Sequence, residues 1–385
     1  MQEREALIAL NKVPGMGAVT VRRMEKAFGS AAAIFKANEA DLAQVYGIGR
    51  ERAAVFYQAL RTVRFDDELS RAQKLNVTLV TWADPEYPPL LKEITDPSLV
   101  LYVAGDVTAL SDAAVAIVGT RQASIYGRET ARLLSYQLAA AGFVIVSGLA
   151  RGVDTEAHNG ALQAKGRTVA VLGGALDCIF PTENRELART MARGDSAVIS
   201  EYPFGRQPDK QTFPMRNRII SGLSQGVLVI ESPLNSGTMI TVNQALDQNR
   251  SVMAVPGRID SPNAVGCHKL IRDGARLITC ADDVIEELQD LMPRSRQQFN
   301  NTPHPTPLQA PATKPVDAPQ PKLGDDERHL IGLLDEERHV DFLIRSSDLP
   351  ASRVNALLVG LQLRRLVSLL PGGMVKKIER TQRAR

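Results

Sequence analysis

Short apolar runs rich in Val and Ile recur through the middle of the chain, and between them apolar positions return every three or four residues. The short runs predict strands at Val115 to Val118, Phe143 to Val146, Thr168 to Leu172, Ala197 to Ser200, Val227 to Ile230, Ser251 to Val255 and Arg276 to Ile278. Each of the first six ends at or near Gly, Ser or Pro and leads into a helical pattern. That is the rhythm of βαβ units, so the expected core is an α/β, Rossmann-like parallel sheet covered by helices on both faces. In such a sheet ligands bind beyond the carboxyl ends of the strands.

Outside the core the pattern changes. Residues 1–65 read as helical and hold a weak repeat, VPGMGAVTVRRM (Val13 to Met24) and VYGIGRERAAVF (Val45 to Phe56). Each has Gly-x-Gly before an amphipathic helix, which predicts two helix-hairpin-helix units with tight turns at Gly15, Gly17, Gly47 and Gly49. Two readings stay open: hairpins whose amides face a phosphate, or a small helical (SAM-like) interaction module. The main domain is expected over 66–290. Eight of the 22 prolines fall between Leu291 and Asp325, among Gln, Thr and Ala, the composition of a flexible linker over 291–325. Residues 326–385 have the order of a winged helix. Helices at Glu327 to Glu336 and near Asp341 to Arg345 precede a third with Val354, Leu357, Leu358 and Leu361 on one face, then a hairpin around Pro371-Gly372-Gly373. Arg364, Arg365, Lys376 and Lys377 would decorate its last helix and wing.

Composition narrows the chemistry. The 385 residues exceed one ordinary core, so more than one domain is expected. Lys+Arg 46 against Asp+Glu 43 is only mildly basic and does not by itself imply nucleic acid. Cys178, Cys267 and Cys280 form no CxxC pair and read as small buried apolar residues. The five histidines lack metal spacing, no GxxxxGK[ST] loop or GxSxG elbow is present, and no metal or cofactor is expected. The charged start MQEREALIAL and the lack of a long apolar run predict a cytoplasmic protein with no membrane partner.

The remaining signals cluster in the turns after the strands. VGTRQASIYG offers Gly119, Thr120, Arg121 and Ser124 at a helix start, groups suited to an anion. It is no GxGxxG fingerprint, and no acidic residue ends the next strand, which disfavours a dinucleotide. SGLARGVD adds Ser147, Gly148, Arg151 and Gly152, with Asp154 as a helix cap. GGALDCIFPTEN adds Gly173, Gly174 and Phe180, the last either a stacking surface for a base or core. In FPMRNRIISGLS, Arg216 and Arg218 flank Asn217 at a predicted helix start. Glu201 and Glu231 are the carboxylates an ordinary pairing would use, yet none lies within the run, so an unpaired cationic helix start is expected. NSGTMIT presents Ser236, Gly237 and Thr238. Four turns at one sheet edge therefore suit phosphates, with no catalytic residue among them.

These strings, with SEYPFG and VPGRIDSPNAVGCHKLIRDGA, occur in the order of the bacterial DNA-processing protein A (DprA/Smf) family, which the chain resembles over roughly Pro85 to Leu288. The resemblance implies an extended Rossmann fold and cooperative, sequence-independent binding of single-stranded DNA. It also implies a homodimer and loading of the recombinase RecA onto incoming DNA in natural transformation. The family's DNA-contacting arginine falls on Arg121 and its basic helix-start motif on Arg216 and Arg218. The rival class is an enzyme, a Rossmann-type nucleotide phosphoribohydrolase using PGGxGTxxE; the glutamate of that motif would fall on Thr241 here.

Overall fold

The apolar runs do form strands, and their burial on both sides sets the layering. The computed structural model describes residues 1–289 and, in parts, 324–377, and these fall in two compact units. The first unit opens with six helices, α1 (Glu3–Asn11), α2 (Ala18–Phe28), α3 (Ala31–Ile34), α4 (Glu39–Gln44), α5 (Gly49–Thr62) and α6 (Asp66–Lys74). Next come β1 (Val77–Thr81), α7 (Pro89–Glu93) and β2 (Val100–Gly105). The alternating part follows: β3 (Ala114–Val118), α8 (Ile125–Ala140), β4 (Val144–Ser147), α9 (Val153–Gln163), β5 (Thr168–Val171), α10 (Arg185–Arg193) and β6 (Ala197–Ser200). It continues with α11 (Thr212–Gly222), β7 (Gly226–Val229), α12 (Gly237–Asp247), β8 (Ser251–Ala254), α13 (Val265–Arg272), β9 (Arg276–Leu277) and α14 (Ala281–Leu288).

All seven expected strands are present, within a residue or two of their expected ends. The 9-stranded sheet runs β1-β2-β6-β5-β4-β3-β7-β8-β9. Strands β3 to β9 are parallel to their neighbours, whereas β2 pairs antiparallel with β1 and β6 and so extends the sheet at that edge. From β3 the chain winds outward through β4, β5 and β6, then returns to β7 on the other side of β3. The gap beyond the carboxyl ends of β3 and β7 is thus the topological switch point.

Within β3, Ala114, Ala116 and Val118 join one buried cluster while Val115 and Ile117 join another, as the two-residue pleat requires. The first cluster also takes in Leu7, Val21 and Phe56 from the amino-terminal helices, so residues 1–65 share a core with the sheet. Arg4 Nη2 donates to the Leu79 carbonyl at 2.6 Å and Lys12 Nζ to Asp67 at 2.8 Å across the same boundary. The two glycine hairpins form as the repeat predicts, with Gly15 at φ 75° and Gly47 at φ 82°. Arg52 donates to the carbonyls of both, at 3.4 and 2.9 Å, and holds them side by side.

The cysteines depart from expectation. Cys267 is buried, but Cys178 is only half-buried and Cys280 is exposed, because Cys280 is the N-cap of α14 and a cap sits at the surface. The second unit contains α15 (Asp325–Gly332), β10 (Arg338–His339), α16 (Val340–Ser346), β11 (Val367–Leu370) and β12 (Met374–Lys377). Strands β11 and β12 pair as the expected hairpin, with Leu370 opposite Met374, and β10 adds a third strand. Val354, Leu358 and Leu361 are buried in its core, as their spacing predicts. Most of the Pro-rich segment, together with Arg364 and Arg365, lies outside the described residues. No described helix is long and apolar enough to cross a membrane.

Ile117 is fully buried in β3 and packs in the second apolar cluster. Ile117→Ala is expected to lower unfolding free energy by about 2–5 kcal/mol in a urea titration; a change below about 1 kcal/mol would show that the sheet centre is not the stabilising layer.

Candidate nucleic-acid interface

The turns after β3, β4, β5 and β7 do converge, but two of the four anion cradles are already filled by carboxylates of the chain itself. At the first, Glu231 follows β7 and is buried against the start of α8. Its carboxylate accepts from the Ser124 amide at 2.9 Å and the Ser124 hydroxyl at 2.6 Å, while Ser124 Oγ accepts from the Gly127 amide at 3.0 Å. The Thr120 amide donates to the Glu231 carbonyl at 2.8 Å, and Gly119 packs against Val153. Ser124 and the amides beside it are therefore spent on an internal helix cap. Arg121 is the exception. It is exposed, with its guanidinium 5.2 Å from the Phe213 ring centroid.

The second cradle is filled by Asp154, which accepts from the amides of Gly148 at 3.1 Å and Ala150 at 3.3 Å. Ser147 is buried and donates to the Ile117 carbonyl at 2.7 Å. Gly152 sits at φ 78° and starts α9 where a side chain would strike the Thr120 carbonyl. Arg151 reaches solvent and donates through Nε to Glu183 at 2.9 Å, an exposed pair that screening weakens.

Beneath this turn lies Arg216, with only 4% of its surface exposed. Its Nη1 donates to the Gly148 carbonyl at 2.7 Å and to the Val171 carbonyl, and its Nε to Asn217 Oδ1 at 3.2 Å. A Cβ on residue 148 would lie 2.6 Å from the guanidinium, so only glycine fits there. Burial, opposed by Asp154 and reinforced by the Arg121 charge, pushes the Arg216 pKa down to about 10, which leaves it cationic at neutral pH. Asp154 is held above the usual carboxylate range by its burial.

Next to this pair, His158 is fully buried. Thr168 Oγ1 gives its only proton to the Ile145 carbonyl at 2.6 Å, so the His158 Nδ1 contact at 2.7 Å makes Nδ1 the donor. Nε2 is left without a partner. Burial first, then the Arg216 charge, drive its pKa to about 3.

Arg218 corrects the sequence reading. It is 8% exposed and not free: Nη2 meets Glu201 at 2.6 Å and Nε meets Asp96 at 3.0 Å. Glu201 is one of the two carboxylates the ordinary pairing named, and it and Asp96 both lie outside the run itself. The helix, moreover, begins at Thr212, so both arginines lie in its second turn and neither faces outward from its start. Asn217 donates to the Gly237 carbonyl at 3.4 Å, joining α11 to the fourth turn.

The third turn is mostly closed. Gly173 and Gly174 are buried, the Phe213 ring packs over Gly173, and Gly174 accepts from Ser200 Oγ at 2.8 Å. Phe180 is 46% exposed and is not core; its ring lies 6.1 Å from that of Phe213. At the fourth turn Ser236 caps α12 without a side-chain capping bond, its hydroxyl 2.8 Å from that of Ser232, with Gly237 exposed and Thr238 buried. Lys210, on the loop from β6 to α11, is exposed and makes no ion pair among the described residues; nothing in its neighbours set it apart in sequence. The open rim thus comprises Arg121, Phe180, Arg151, Lys210 and the Ser236-Gly237 turn.

Residues 78–289 match the family model "DNA recombination-mediator protein A". The chain belongs to the DprA/Smf family. Residues 312–373 match the DprA winged helix domain and 7–62 a SAM-like helix-hairpin-helix tandem. Protein Smf of Synechocystis is 34% identical across 96% of this chain and 98% of its own length. DNA processing protein DprA of Bacillus subtilis is 44% identical over 58% of this chain and 75% of its own. Among solved structures, DprA of Streptococcus pneumoniae superposes with a TM-score of 0.65 at 34% identity, covering 74% of this chain and 98% of that one. A DprA from Helicobacter pylori, described for its single-stranded DNA binding mode, gives 0.50 at 31% identity, covering 55% and 96%. The DprA/Smf strings SGLARGVD and FPMRNR are thus a buried assembly of charges, and only part of each reaches solvent.

Removing Arg218 should strand two carboxylates in a poorly solvated site. Arg218→Leu is expected to cost about 3–5 kcal/mol in chemical denaturation, and an unchanged midpoint would show that the pair holds nothing. His158 makes a pH prediction. Its folded pKa of about 3 lies below its ordinary 6.5, so the unfolded chain takes up the proton first, and stability is lost as pH falls through that window. The slope of wild type relative to His158→Gln should approach ~1.4 kcal/mol per pH unit, a comparison that removes the opposing contribution of Asp154. Parallel curves for the two proteins would contradict it.

Proposed function

We propose that the rim at the carboxyl edge of the sheet binds single-stranded DNA without sequence preference, and that the protein thereby protects incoming DNA and delivers it to RecA in transformation and recombination. The observation that carries this reading is the array of Arg121, Phe213 and Phe180: an uncommitted guanidinium over one ring, with a second, exposed ring 6.1 Å from the first. A base stacks on Phe180 because every base has a π-face, and its phosphate takes the fork of Arg121; neither contact reads sequence. The names of the relatives and the single-strand binding described for the Helicobacter protein support the assignment. A second copy of the chain and RecA are carried into the proposal as the family's protein partners, and cytoplasmic placement accompanies them.

The enzymatic alternative is disfavoured at its decisive position. Where a nucleotide hydrolase of this fold would place its glutamate, the chain has Thr241, buried within α12. The carboxylate nearest the switch point, Glu231, is tied up in capping α8.

Titrating an oligothymidylate at several salt concentrations tests the proposal. Arg121→Ala should weaken binding by about tenfold, ~1.4 kcal/mol, and flatten the slope of log K against log salt by about 0.7. Phe180→Ala should weaken it by about 1–3 kcal/mol with the slope kept. Wild-type affinity and slope in both variants, or equal preference of the wild type for duplex, would overturn the assignment.

A further inference from the structure

We infer that the bound strand does not end at the rim but continues along α10, whose outer face carries a line of three arginines, Arg185, Arg189 and Arg193. This rests on the single-strand reading of the rim. The inner face of α10 is apolar: Ala188 and Met191 are buried with Leu172 and Val198 against the sheet. The three arginines are all exposed and stand four residues apart. Side chains at i, i+4 and i+8 share one face and rise about 6 Å at each step, close to the separation of neighbouring phosphates along an extended strand.

Local stability accounts for only part of this line. Like charges at i and i+4 oppose each other, and Arg185 occupies the first position of the helix, where the dipole disfavours a cation, whereas Arg193 in the last turn is favoured by it. Arg189 pairs only with the exposed Glu186 one turn back, and Arg185 and Arg193 have no ion pair among the described residues. A line of exposed cations whose first member the dipole opposes, and of which only Arg189 has an ion pair among the described residues, suits a polyanion.

The line is also continuous with the rim. Phe180 and Pro181 lead through one tight turn, Thr182–Asn184, directly into α10. Buried Asn184 donates to the Leu149 carbonyl at 2.8 Å and to Thr155 Oγ1 at 2.9 Å, which clamps the start of α10 to the second turn beside Arg151. A strand leaving Phe180 therefore passes the exposed Arg151–Glu183 pair, then meets Arg185 and continues past Arg189 and Arg193. An acidic protein segment would find the same charges, but it would have no reason to adjoin a stacking surface.

The test is a length series. Labelled oligothymidylates of about 6 and about 30 nucleotides are titrated over a range of salt with wild type, R185Q/R189Q/R193Q and the charge-keeping R185K/R189K/R193K. We expect the glutamine variant to bind the short oligomer within twofold of wild type and the long one at least tenfold more weakly, its salt slope smaller by about 2. The lysine variant should keep the slope, and unchanged melting temperatures exclude a folding defect. Wild-type binding of the long oligomer by the glutamine variant, or equal losses on both lengths, overturns the path along α10 and leaves the rim assignment standing. Failure of the wild type to bind either oligomer overturns both.

Discussion

Arg216 occupies a place where a guanidinium has almost no water, yet the ends of β4 and β5, the start of α9 and helix α11 all meet on it. It bridges the carbonyls of Gly148 and Val171, and Asp154 supplies the opposing charge while gathering the amides of the same turn. Burying such a cation is costly unless its donors find acceptors, and here two backbone carbonyls and Asn217 Oδ1 accept from it. The glycine at 148 exists to admit the guanidinium, and the neutral His158 behind it tolerates the nearby positive charge. Helix α11 in turn brings Phe213 against Gly173 and sets Arg218 between Glu201 and Asp96.

From this constraint the character of the surface follows. The switch point of a doubly wound sheet is ordinarily a crevice for a small anionic ligand. Here Glu231 and Asp154 occupy the helix starts that a cofactor phosphate would use, and the crevice is closed by the chain's own charges. What remains for a ligand is the rim, where aromatic rings and exposed cations stand in solvent. A rim suits a long flexible polyanion that gains by many weak contacts. Internal satisfaction of the cradles and external openness of the rim are two consequences of one arrangement.

The sequence by itself determined the class of the sheet, all seven parallel strands, the glycine hairpins of the amino-terminal repeat and the wing strands, because each depends on local periodicity and turn chemistry. It also picked out the four turns, and the family strings reached the right family. It did not distinguish an exposed arginine from a buried one. Arg121, Arg216 and Arg218 share a side chain and all stand in strings near the sheet edge, but their roles are set by partners outside their own strings, Glu201, Asp96, the Val171 carbonyl and the Phe213 ring. The same holds for Ser124 and Glu231, more than a hundred residues apart and joined only across the switch point. Charge and chemical type are properties of the sequence; desolvation and pairing, which decide whether a charge is structural or available, arise only when the strands are laid side by side.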